Sequence, residues 1–143
     1  MASGFYDNYN ELCIGYGVHT FPNLQSDTIK VGIVSGADYT ENFATNQDWD
    51  DVGAYTLDAC YNGEATQTLA SKTGVDGSFD AADITFTSVA IDGAKDIDAV
   101  VHYRSGGTIT TDTLVCLHDG FSAVTPNGGD IIVQFNASGI FQR

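Results

Sequence analysis

Positive charge is what this sequence has least of. Five Lys and Arg stand against 19 Asp and Glu, for a formal net charge of −14. That balance keeps a chain soluble and repels phosphate backbones, so nucleic acid is not expected as a direct partner. Cysteine is scarce as well: Cys13, Cys60 and Cys116 are far apart, odd in number and without a CxxC spacing. They read as small buried hydrophobes in a reducing compartment, not as a disulfide framework. No run approaches the ~18 apolar residues of a membrane span, so no membrane contact is expected. Residues 1–7 contain neither a basic segment nor an apolar core, and no secretory signal is expected from them.

Catalytic signatures are missing too. There is no GxSxG elbow, so Ser105-Gly-Gly107 reads as a turn and not as part of a hydrolase. Gly106-Gly107 and Gly128-Gly129 lack the strand–loop–helix context and the Lys of a phosphate cradle. No enzyme activity and no cofactor are expected.

Aromatic and β-forming residues are abundant: eight Phe, seven Tyr, one Trp, and a hydrophobic fraction of 43%. With 16 Gly and many Thr, Val and Ile, they point to short strands joined by tight turns. The most patterned stretch is 98–141. Its three apolar-rich runs (98–104, 113–118 and 131–136) are separated by Gly, Asp, Asn and Pro, the pattern of an antiparallel meander. Earlier strands are expected at 28–34 and 84–91, and a hairpin over 54–69 around Asn62-Gly63. With about six or seven strands, two packed sheets bury the apolar faces best. The expected fold is therefore mostly β: one domain over 1–143, an antiparallel β-sandwich or flattened barrel. A short N-terminal helix and arm fill 1–26, and the sheet fills 27–143.

That helix is read over 5–16, where Phe5, Tyr9, Leu12 and Tyr16 fall on one face. About three turns long, it needs a surface to cover, and one face or edge of the sheet is the expected one. Residues 38–51 read as an acidic surface loop held down by Tyr39, Phe43 and Trp49.

Three groups carry donor atoms. Asp48, Asp50 and Asp51, and Asp76, Asp80 and Asp83, gather oxygens as a hard cation requires, but neither set matches the EF-hand loop, and solvated turns explain them. Cys116 and His118 share a strand face, as two ligands of a soft metal do. His19, His102, Cys13 or Cys60 would have to complete such a set, and no spacing selects one. A buried Cys beside a half-exposed His is the simpler reading, so no metal is expected. In Thr125-Pro-Asn-Gly-Gly-Asp130, Pro126 presets φ, Asn127 and Gly128 tolerate positive φ, and Asp130 bonds nearby backbone donors.

The order of these motifs resembles a widespread group of small tailed-bacteriophage proteins encoded among virion structural genes. The likeness runs from Ser26-Asp-Thr-Ile-Lys-Val31 through Phe79-Asp-Ala-Ala-Asp-Ile-Thr-Phe-Thr87 and Ala99-Val-Val-His-Tyr103. It continues through Leu114 to His118 and the PNGGD turn of residues 124–131, and ends at Gly139-Ile-Phe141. The Cys and His of Val115-Cys-Leu-His-Asp119 depart from the cleaner apolar/Thr strand of related chains. The resemblance implies a capsid decoration (cement) protein on the virion surface, assembled in the host cytoplasm. It would bind the major capsid protein and bridge its subunits, as a homo-oligomer of which a trimer is one form. The interface is expected in residues 1–10 and 38–51, through Phe5, Tyr6, Tyr9, Tyr39, Phe43 and Trp49. A tail or neck component is the second expectation. A carbohydrate- or calcium-binding module, with Trp49 and Tyr39 stacking on sugar, is the third.

Overall fold

The structure, a computed structural model, describes residues 2–16, 21–52, 66–91, 93 and 95–142. Most of the hairpin expected over 54–69 lies outside the described residues, as do His19 and Cys60. The rest is mostly β and sandwich-like. Its centre is an antiparallel sheet of β1 (Gly4–Phe5), β8 (Thr113–His118), β7 (Ala99–Arg104), β2 (Ile29–Val34) and β3 (Gln67–Thr68), side by side in that order. Two small ladders form the second layer. One joins β10 (Phe141–Gln142), β5 (Ser78–Asp80) and β4 (Thr73–Val75); the other joins β6 (Ile84–Phe86) and β9 (Ile131–Val133).

Alternation along the strands builds two cores. Ile29, Val31, Ile33 and Val100 face the ladders and pack with Phe79, Ile84, Phe86 and Val89. Ala99, Val101, Tyr103, Leu114 and Leu117 face the other way and pack with Tyr6, Tyr39, Trp49 and Val52. Both faces of β7 and β8 are thus covered, which is why Val100-Val101 and Leu114-Val115-Cys116-Leu117 read as nearly unbroken apolar runs. Each large aliphatic side chain buried in this way contributes about 1.5–3 kcal/mol.

Three expectations change. The helix, α1, spans Asp7–Cys13 and is shorter than the stripe suggested. Phe5 leaves it to pair with Cys116 in β1, and Tyr16 is exposed. α1 does cover the sheet: Tyr9 packs on Val115 and Cys116. The 98–141 stretch is not one meander, because β1 takes the free edge of β8 and β9 pairs with β6 instead. β6 is also shorter than expected. Ser88 turns the chain with φ 51°, and Val89 exchanges two backbone hydrogen bonds with Gly128 and Gly129.

The PNGGD turn therefore works across the fold. Asp130 Oδ1 accepts from Ser88 N at 2.9 Å, and Thr125 donates to Asp96 at 2.5 Å. Asp130 bonds a strand end distant in sequence, not the nearby donors expected of it. Gly128 adopts positive φ, 85°.

Candidate functional site

The six aromatics expected at an interface are placed mostly inside. Tyr6, Tyr9, Tyr39 and Trp49 are each at most 3% exposed, and Phe5 and Phe43 are half-buried. The 38–51 loop is a lid on one sheet face, stitched to β8 by backbone bonds from Trp49 N to Asp112 O and from Leu114 N to Gln47 O. Trp49 stacks on Tyr103 at 4.5 Å between ring centroids. Phe43 meets Tyr6 edge-on, and Phe5 stacks on Tyr9. The Tyr39, Phe43 and Trp49 rings of the acidic segment turn inward onto the sheet face.

Tyr6 and Tyr39 touch through their hydroxyls at 2.9 Å. Tyr39 donates its only hydrogen to Asn46 Oδ1, so Tyr6 is the donor to Tyr39. Burial pushes the Tyr39 phenol up to about 12 and the Tyr6 phenol further still.

Several of the acidic groups accept from backbone N–H groups. Asp51 Oδ2 accepts from Gln47 N at 2.7 Å and Asp48 N at 3.2 Å, while Asp80 accepts from Ala81 N and Asp83 from Phe135 N. Among the described residues, one group of three His, Cys, Asp or Glu donors lies within mutual ligand reach, and it holds no carboxylate: His102, Cys116 and His118.

Strand register assembles that group. His102 pairs with Cys116 across β7 and β8, and Val100 pairs with His118, so all three side chains share the face toward the ladders. The register shifts between His102 and Tyr103, where Val115 is the extra residue of a bulge. The Val115 carbonyl accepts from Tyr6 N at 3.1 Å, which ties the bulge to the chain following β1. One donor atom from each of the three residues lies within 4.8 Å of the others. Cys116 Sγ and His118 Nε2 are 3.5 Å apart, and the two imidazoles meet edge-on with centroids 5.3 Å apart.

His102 is 1% exposed, and neither ring nitrogen has a hydrogen-bond partner. Burial, with His118 adding to it, lowers its pKa to about 3, so the ring is neutral. Burial raises the Cys116 thiol and lowers His118, the latter against the pull of Asp119. The group is thus uncharged, and its two histidines border an open cleft of about 280 Å³ shared with Gln134, Phe135 and Asn136. Cys116 and His118 were legible as a pair from their spacing. His102 was one of four sequence candidates, and only the pairing of β7 with β8 selects it.

No protein-family model matches this chain, and no curated protein matches it either.

Proposed function

We propose that the chain is a structural protein of a tailed-phage virion that sits on the outer capsid and ties major capsid subunits together. The observation that carries this reading is the order of motifs along residues 26–141, which resembles small virion structural proteins of such phages. A strongly acidic surface suits a protein crowded in many copies on a shell, and weak contacts repeated across a symmetric array bind collectively. The contact surface is redrawn from the sequence expectation. Among the described residues of the N-terminal region, the exposed large apolar side chains are Ile14, Tyr16 and Phe21, just past α1, and we assign the contact to them. The carbohydrate reading loses support, because Tyr39 and Trp49 are buried and offer no ring face to a sugar.

The test adds purified chain to undecorated capsids and measures their survival of heat and low salt. Wild type is expected to protect. Ile14→Ser with Tyr16→Ser, substitutions of exposed residues that leave the core intact, is expected to protect less. No protection by the wild type sinks the shell reading, and imaging of virions with the copies at the neck would move the protein there.

A further inference from the structure

We propose that His102, Cys116 and His118 form a binding site for a thiophilic divalent cation, zinc first, with a fourth coordination position open to the adjoining cleft. This is independent of the virion reading.

Two observations carry the inference. The first is the donor set: two imidazoles and a thiol on one sheet face, with donor atoms within 4.8 Å of one another. Tetrahedral zinc, with Zn–N about 2.0–2.1 Å and Zn–S about 2.3 Å, holds its ligand atoms about 3.4–3.7 Å apart. Cys116 and His118 are already at 3.5 Å. From 4.8 Å the widest pair would close by about 1–1.5 Å, within reach of side-chain rotation on a fixed backbone. The second is the orphaned His102 ring. A neutral imidazole carries one N–H donor and one lone pair, and burying both unpaired costs about 1–3 kcal/mol for each group. A cation bound through one nitrogen satisfies the lone pair, and no described residue does so.

The surroundings suit a bound ion. The cleft, lined by both His102 and His118, supplies an entry path. The bulge at Val115 keeps Cys116 opposite His102 while the rest of β8 continues its pairing. Binding forms two metal–nitrogen bonds and one metal–sulfur bond and releases the thiol proton to water. Three protein ligands with one exchangeable position is the coordination of reactive zinc sites, whereas purely structural ones are closed by four.

Cobalt(II) titrated into chelator-treated full-length chain provides the test. A thiolate-to-cobalt charge-transfer band in the near ultraviolet, with intense visible bands of tetrahedral cobalt, is expected, and zinc should abolish both. The band should persist in Cys13→Ala/Cys60→Ala, where Cys116 is the only thiol, and vanish in His118→Gln, a half-exposed position whose fold is checked by circular dichroism. Absence of the band from the folded wild type, or its survival in His118→Gln, overturns the proposal. X-ray absorption on the zinc-loaded wild type does not depend on any variant folding. It should show one sulfur and two imidazoles, and an all-oxygen shell overturns the site equally.

Discussion

Single residues here decide matters through what their polar atoms meet. The Tyr6–Tyr39–Asn46 relay is the example: two phenols buried beneath an acidic loop, each with a defined partner. The pH dependence follows from the Tyr39 phenol at about 12 against an ordinary 10.0. Below pH 10 both folded and unfolded chains hold the proton. Between 10 and about 12 the unfolded chain loses it first, so stability falls as pH rises through that window. Urea melts at pH 8, 10 and 12 should show this decline, and an unchanged midpoint would contradict the buried relay. Tyr39→Phe strands the Tyr6 hydroxyl and should cost about 1–3 kcal/mol at neutral pH. Tyr6→Phe should cost less, because Tyr39 keeps its bond to Asn46, and a double-mutant cycle measures the coupling.

At the scale of elements, the central strands depend on close approach. Gly32 in β2 lies under the Trp49 indole, where a Cβ would stand 2.2 Å from the ring edge. Gly32→Ala should therefore push the indole off the sheet and lower stability by about 1–3 kcal/mol. Thermal melts read the loss, and pairing the substitution with Trp49→Leu should recover part of it. If Gly32→Ala melts like wild type, the lid does not pack as described.

The same strands show what a sequence discloses. β2, β7 and β8 were legible within a residue or two, because their apolar-rich runs have strand length and their breaks carry Gly and Asp. The end of α1 was not, since an aromatic such as Phe5 suits a helix face and a strand equally, and only the free edge of β8 decides between them. The partner of β9 was hidden for a similar reason, as pairing between distant segments leaves no local periodicity. The donor cluster fell between these cases. Cys116 and His118 share a face by spacing alone. The placement of His102 depends on the register of a hairpin whose long 105–112 loop does not set it, and the bonds of Asp112 to Gly106 and Gly107 that close this loop are equally invisible in the sequence.

For the whole molecule, charge is the governing quantity. With a formal net charge of −14, self-repulsion opposes the compact state, and the few cations serve as clasps. Arg104 pairs with Asp27 at 2.9 Å, Lys72 donates to the Asp27 carbonyl, and Lys95 pairs with Asp38 at 2.9 Å. Raising sodium chloride from about 10 mM to 150 mM shortens the screening length from ~30 Å to ~8 Å. The melting temperature should therefore rise over that range. A flat or falling midpoint would mean that the local pairs outweigh the global repulsion.

The pairing of Gly4 with Leu117 also sets a timetable. During synthesis the first strand emerges long before its partner, so the edge of β8 stays open until Leu117 has been made. Closing contacts between segments so far apart in sequence is slow, and completion of the central sheet is expected to be a late step of folding.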